Sequence, residues 1–227
     1  MSPFFLLDLD GTLLDTAPDL ANAVNFVLEK YGKPTQPLPV LRARVYGGSK
    51  TLLSHAFHLS EYSSKFEKIR DEFLQHYHEH LADETTLFPG MEDLLQYLET
   101  KKILWGVVTN KPTWLTVPLL SHFNLLKRAA CVVCGDTLKT AKPDPAPLLH
   151  AAELLKKEPQ QGIFLGDSEM DMQAAQSAGM LAVLAQYGYM PENKGYLKWP
   201  YQHAVKNPME LVSLLKKSYI TSTDLAK

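Results

Sequence analysis

A chain of 227 residues and 25.5 kDa can form one large domain or two modest ones. Its 45% hydrophobic and 21% charged residues are those of a soluble globular protein and exclude disordered, collagenous and disulfide-stapled classes. A formal net charge of −2 and a pI of about 6.4 give no broad positive field, so no nucleic acid is expected as a partner.

The first apolar run, Phe4 to Leu7, is cut off by Asp8, well short of the ~7–15 residues of a signal-peptide core, and no ~20-residue apolar run follows. The expectation is a cytoplasmic protein with no membrane partner. Further buried strands are predicted over Ile103 to Val108, Ala130 to Cys134, Ile163 to Leu165 and Leu181 to Leu184. Helix-length segments separate the later ones: Thr113 to Phe123, Ala146 to Lys156 and Met170 to Ala178. A last helix is expected over Leu211 to Lys217, with a fraying tail from Ser218 to Lys227. The strand–helix rhythm predicts an α/β fold with a doubly wound, mainly parallel, Rossmann-like core.

Residues 17–88 break this rhythm with helical patterns such as Leu20 to Tyr31 and Phe66 to Leu81 and no convincing buried strand. They read as an inserted helical cap, leaving 1–16 and 89–227 as the catalytic core. The edges are marked by the turn Asp10-Gly11-Thr12 and by Pro89-Gly90. Cys131 and Cys134 lie three apart in a predicted strand and point to opposite faces, which disfavours a shared metal or a disulfide.

Polar residues follow each predicted strand: Asp8 and Asp10, then Thr109 and Asn110, then Lys142, then Asp167 and Asp171. In an open α/β sheet these strand ends share one crevice, so topology alone gathers the set. Several carboxylates with one ammonium are too acidic to hold a phosphate without a hard cation. Magnesium, which takes octahedral oxygen ligands and keeps waters, suits the site, with Asp8, the Asp10 carbonyl and Asp167 as ligands.

Asp8-Leu9-Asp10-Gly11-Thr12-Leu13, Thr109-Asn110, Lys142-Pro143 and Gly166-Asp167-Ser168-Glu169-Met170-Asp171 resemble, in order, the four signature motifs of the haloacid dehalogenase superfamily. The resemblance implies that Asp8 attacks phosphorus to give an aspartyl phosphate, and that Asp10 protonates the leaving oxygen and then deprotonates water. It further implies that Thr109 and the Asn110 backbone hold phosphate oxygens, that Lys142 balances charge, and that Asp171 orients Lys142 or metal waters. An acidic Asp10 is unlike the dehalogenase and phosphonate-cleaving branches and favours phosphate esters. The substrate implied is a small phosphorylated metabolite.

Asp8 to Leu20, Trp105 to Pro112 and Cys134-Gly135-Asp136 look closest to phosphoglycolate phosphatases and the sister N-acetylmuramic acid 6-phosphate phosphatases, and Trp105 to Pro112, Cys134-Gly135-Asp136 and Tyr187-Gly188-Tyr189 lean towards the second. A sugar phosphomutase would share the core motifs, and a non-catalytic binding protein could use the same fold. Monomer and homodimer both remain open. Within the insert, Arg42, Arg44 and Lys50 surround Tyr46-Gly47-Gly48-Ser49, which looks like a cap loop that touches substrate, with Arg44 and Lys50 as the candidate contacts. Asp15 and Glu169 read as capping or surface residues. His76 and His80 share a helix face, but no acidic or cysteine ligand at a familiar spacing is seen to complete a zinc site.

Overall fold

The computed structural model describes residues 3–191 and 193–215. In chain order, β1 (Phe4–Leu7) leads to a short β2 (Leu14–Asp15), and four helices follow: α1 (Ala17–Lys30), α2 (Leu38–Val45), α3 (Gly48–Phe57) and α4 (Phe66–Glu79). A second short strand, β3 (Thr86–Leu87), precedes α5 (Met91–Thr100) and β4 (Trp105–Val108). Next come α6 (Thr113–His122), α7 (Leu125–Arg128), β5 (Val132–Val133), α8 (Ala146–Leu154), β6 (Gly162–Gly166), α9 (Glu169–Ser177), β7 (Leu181–Ala185) and β8 (His203–Val205).

The main sheet has the order β5-β4-β1-β6-β7-β8, and every pairing in it is parallel. Parallel strands covered on both faces must be apolar throughout, and all four residues of β1 are fully buried. Successive residues serve opposite faces. Phe4 and Leu6 join one apolar cluster with Leu148 and Ala151 of α8 and Met172 and Ala175 of α9. Phe5 and Leu7 join the other with Leu94 and Leu98 of α5 and Leu115 and Leu119 of α6. The result is a three-layer sandwich. The chain runs from β1 out to β4 and β5, then crosses back to β6, so the strand order reverses beside β1, where an open α/β sheet forms its ligand crevice.

The expected strands and helices are present, with ends shifted by a few residues. The Ala130–Cys134 strand contracts to Val132–Val133, and both flanking thiols are free and buried, with burial pushing Cys131 up to about 11. The sequence reading missed β8, because His203 and Ala204 are exposed and only Val205 is buried. It is a strand because β7 offers it a parallel edge, with Leu184 opposite Ala204. Residues 210–215 are helical, while the remainder of the expected last helix and the tail lie outside the described residues.

β2 pairs antiparallel with β3, Leu14 opposite Leu87 and Asp15 opposite Thr86, so α1 to α4 are bracketed by a two-stranded ribbon. Their apolar side chains, among them Val24, Leu52 and Phe73, are continuous with the cluster on the Phe5 face of the sheet. The connection back to the ribbon is fixed by Asp19 of α1, which is 1% exposed and accepts from Glu84 N (2.9 Å), Thr85 N (2.8 Å) and Thr85 Oγ1 (2.6 Å). Asp19→Ala would orphan these donors, and we expect urea unfolding to show a loss of about 2–4 kcal/mol, with Asp19→Asn losing less.

Candidate active site

Lys142 lies 4% exposed below the carboxyl end of β1. Its Nζ is 2.8 Å from Asp8 Oδ1, 2.7 Å from Asp171 Oδ1 and 2.8 Å from the Val108 carbonyl. The ammonium thus donates hydrogen bonds to Asp8 and to the Val108 carbonyl and forms an ion pair with Asp171, drawing on three chain segments. Asn110 fixes the backbone of the same lysine: its Nδ2 donates to Lys142 O at 2.9 Å and its Oδ1 accepts from Lys142 N at 3.0 Å. The Asn110 side chain therefore positions Lys142, while the Thr109 hydroxyl accepts from Lys111 N at 3.1 Å.

The other carboxylates are held just as closely. Ser168 and Asp171 form a capping box at the start of α9, Ser168 Oγ donating to Asp171 Oδ2 at 2.6 Å and Ser168 N at 3.0 Å. A Cβ at Gly166 would run into Asp171, so only glycine lets that side chain fold back under the strand end. Asp167 accepts Tyr189 N at 2.8 Å through Oδ2, and Thr12 Oγ1 lies 3.5 Å from its Oδ1. Gly11 makes the turn after β1 with φ +84°, and a Cβ there would collide with Asp167 and the Tyr189 ring.

Asp10 projects beside Asp8 and is held by two partners, Thr16 and Lys111. Thr16 Oγ1 donates to its Oδ1 at 2.7 Å, and Lys111 Nζ lies 3.0 Å from Oδ1 and 3.3 Å from Oδ2. Lys111 also donates to Tyr77 OH on α4 at 2.9 Å, so a core lysine links the helical insert to Asp10.

Above these groups lies a cavity of about 580 Å³. Its floor holds Asp8, Asp10, Thr109, Asn110, Lys142, Asp167 and Asp171, so the structure brings together every core residue picked from the strand ends. Its insert wall contains Tyr46 to Lys50 and, on α4, Arg70, Phe73, Leu74 and Tyr77. Lys50 lines the cavity and pairs with Glu61 at 3.1 Å. Arg44 is not among the lining residues: its Nε faces His55 Nδ1 at 3.5 Å. Arg42 is drawn away as well, pairing with Asp15 at 2.7 Å and lying over the Tyr189 ring at 5.3 Å.

The haloacid dehalogenase-like hydrolase family model matches residues 5–185, which contain all of these core groups. The chain belongs to this family. It is 36% identical over 206 residues to an N-acetylmuramic acid 6-phosphate phosphatase of Pseudomonas putida, covering 91% of this chain and 92% of the relative. It is 41% identical over 207 residues to a phosphoglycolate phosphatase of Xanthomonas campestris, covering 91% and 93%. A crystal structure from Haemophilus somnus, described as a predicted phosphoglycolate phosphatase, superposes with a TM-score of 0.81 at 26% identity, covering 94% of this chain and 98% of that one. With these relatives, the chain is a phosphatase of the haloacid dehalogenase-like family. No described helix of the phosphatase is long and apolar enough to cross a membrane.

The electrostatics of this family member call for a cation. Asp8, Asp167 and Asp171 are all buried, with one oxygen from each inside a 4.8 Å cluster. Burial, then the Asp171 charge, pushes Asp8 up from its ordinary 3.8 to about 7, even with Lys142 pulling it down. Burial and the Asp8 charge push Asp167 well above the carboxylate range. Burial disfavours the Lys142 ammonium, but Asp171 and Asp8 outweigh it and raise Lys142 above its ordinary value. One ammonium cannot balance three carboxylates, and a hard divalent cation fits that deficit. Both Asp171 oxygens are taken up by Ser168 and Lys142, which leaves Asp8 and Asp167 as the carboxylates free to ligate.

Sequence reasoning missed Lys111, Thr16, Tyr77 and Tyr189. Lys111 was visible as a cation beside Thr109-Asn110, whereas Tyr77 reaches the site only through the packing of α4. The histidine reading needs correcting, because Glu79 lies within 4.8 Å of His76 and His80 and does complete a three-group cluster. Two of its members are otherwise engaged, since His80 Nδ1 is 2.7 Å from Asp83 Oδ2 and His76 stacks on Phe26 at 3.8 Å. Asp15 joins Arg42 and Tyr189 OH (3.0 Å), and Glu169 sits exposed in the first turn of α9, bonded by Gln173 at 3.3 Å.

Without metal, folded Asp8 keeps its proton up to about pH 7, while an unfolded aspartate releases it near 3.8. The unfolded chain then binds fewer protons between those values, so stability should fall as pH rises from about 4 to about 7. We expect chelator-treated protein to show this fall in urea titrations at successive pH values, and Asp8→Asn to reduce it.

Proposed function

We propose that the phosphatase is a magnesium-dependent phosphomonoester hydrolase working through an aspartyl phosphate on Asp8, with residues 17–88 as a cap over the site. The observation that carries this reading is Asp8 itself: a carboxylate on the cavity floor, clamped by Lys142 on one oxygen, with Asp10 opening into the same cavity. Asp8, the Asp10 carbonyl and Asp167 would hold the magnesium. Bound there, the metal would offset the carboxylate charge and polarise the phosphoryl group.

The free Asp8 oxygen attacks phosphorus, and the bond from phosphorus to the ester oxygen breaks. Asp10, in its acid form, gives its proton to the departing alkoxide, so the alcohol leaves neutral. Asp10 then takes a proton from water, whose oxygen attacks phosphorus. The Asp8–phosphorus bond breaks, inorganic phosphate departs, and Asp8 is restored. Lys142 stays protonated throughout and balances the charge on Asp8 and the phosphoryl oxygens, which the Thr109 hydroxyl and the Asn110 backbone N–H would receive. Apolar cap residues such as Phe73 and Leu74 keep bulk water from the acyl phosphate. The lead substrates are 2-phosphoglycolate and N-acetylmuramic acid 6-phosphate, named by the relatives.

Asp8→Asn should retain the fold and drop turnover below about 1% of wild type, and higher residual activity would sink the nucleophile assignment. Asp10→Asn, given an activated aryl phosphate whose leaving group needs little protonation, should trap radiolabelled phosphoenzyme. Equal slowing of both half-reactions would argue against the dual role. Chelation should silence the enzyme, magnesium restore it and calcium fail to, because calcium tolerates looser, higher coordination and aligns the reacting atoms poorly.

A further inference from the structure

The two oxygens of Asp10 are held unequally. Oδ1 accepts from Thr16 Oγ1 at 2.7 Å and from Lys111 Nζ at 3.0 Å, whereas Oδ2 has only the longer 3.3 Å approach of the same ammonium. Two donors fill the lone pairs of one carboxylate oxygen. Oδ1 is therefore occupied from within the protein, and Oδ2 is the atom left to exchange a proton with a ligand in the cavity that Asp10 lines.

Thr16 alone does not fix that division. A single hydrogen bond to one oxygen lets a carboxylate turn about its last torsion, which is broad for aspartate. The Lys111 ammonium reaches both oxygens and limits the turn.

A lysine stem has four torsions, so Lys111 can do this only if it is held itself. At its base, the Lys111 N–H is bonded to Thr109 Oγ1 at 3.1 Å, and its carbonyl accepts from Thr116 Oγ1 at 3.2 Å. At its tip, the Tyr77 hydroxyl accepts from Nζ at 2.9 Å, and the centre of the Tyr77 ring lies 4.5 Å from the ammonium. Tyr77 is fully buried on α4 and stacked with Phe73 at 6.2 Å, so its hydroxyl is a fixed point. The placement of Asp10 thus depends on a side chain of the helical insert through one intermediate, Lys111.

We propose that Lys111 is a positioning residue for proton transfer: placed by Tyr77, it holds Asp10 with Oδ2 towards the ester oxygen and afterwards towards the attacking water. This rests on the hydrolase reading above. In the first half-reaction the Oδ2 proton passes to the ester oxygen as that oxygen leaves phosphorus. In the second, Oδ2 takes a proton from water as the water oxygen bonds to phosphorus and the Asp8–phosphorus bond breaks. Lys111 gains and loses no proton. Its removal should therefore harm each step in proportion to that step's need for Asp10, which a lysine that only packs or only attracts phosphate would not do.

Rapid-quench kinetics with magnesium and saturating substrate follow the two half-reactions separately. With p-nitrophenyl phosphate, whose leaving group needs little protonation, Lys111→Met should keep the nitrophenolate burst within about threefold of wild type and slow phosphoenzyme breakdown about tenfold or more. With an alkyl phosphate, both steps should slow by about tenfold or more. Tyr77→Phe keeps the ring but removes the acceptor oxygen, and it should give the same pattern on a smaller scale. In the Asp10→Asn background, Lys111→Met should change breakdown by less than about twofold, because the group it positions is gone. Equal slowing of both half-reactions with the aryl ester, a full Lys111 effect persisting without Asp10, or wild-type kinetics in Tyr77→Phe would each overturn the proposal. Crystal structures should show the Lys111 ammonium displaced in Tyr77→Phe and the Asp10 carboxylate turned in Lys111→Met, and either group unmoved would overturn it as well. Should the wild type form no phosphoenzyme, the hydrolase reading falls, while the two crystal structures still decide whether Lys111 and Tyr77 hold Asp10.

Discussion

Lys142 is a fully enclosed ammonium between two enclosed carboxylates, and much of the surrounding architecture serves to keep it there. An unpaired buried charge costs several kcal/mol, so each of the three groups depends on the others. Asp8 comes from the end of β1, Asp171 from the first turn of α9, and Lys142 from the loop beyond β5. Bringing them within 2.8 Å requires β1 and β6 to be neighbours, Gly166 to leave room for Asp171, and Asn110 to grip the Lys142 backbone from both sides. The parallel sheet order and the ion triad are two descriptions of one constraint.

That constraint leaves a surplus of negative charge, because Asp167 adds a third buried carboxylate with no ammonium of its own. Stability alone would favour a neutral side chain there. The Asp167 position is nonetheless built with care: Tyr189 N donates to it, and Gly11 has no Cβ where one would strike it. A site assembled at such electrostatic cost makes sense where a cation and a phosphate complete it.

Much of this was legible in sequence because parallel sheets write themselves plainly. Their strands are unbroken apolar runs, and function sits just past the runs, so Asp8, Thr109 and Asp167 announce themselves by position. The missing parts share a physical reason. β8 exists through pairing with β7, not through its own composition, and Tyr77 reaches Lys111 because α4 packs across the core. The choice among insert cations also turned on packing: Arg42 and Arg44 are close in sequence to the cavity-lining loop, yet Asp15 and His55 claim them, while Arg70, a full helix away in sequence, lines the cavity. Local sequence shows which residues have chemical capacity, but only tertiary contacts show which have any left unspent.

The internal pairing of the polar groups also shapes the cavity before any ligand enters it. At the reacting end, Lys142, Lys111 and Asn110 already have internal partners, so their geometry is set before any ligand arrives and little reorganisation is left for the reaction. Such preorganisation is indifferent to the alcohol half of the ester, since nothing there measures its length. The wall contributed by α4 is different in kind, since Phe73 and Leu74 line it with apolar surface while Tyr77 of the same helix is bonded to Lys111 below. That wall belongs to a rigid helix tied to the Asp10 partner, so its height over the carboxylates is set by backbone hydrogen bonds and not by a flexible loop.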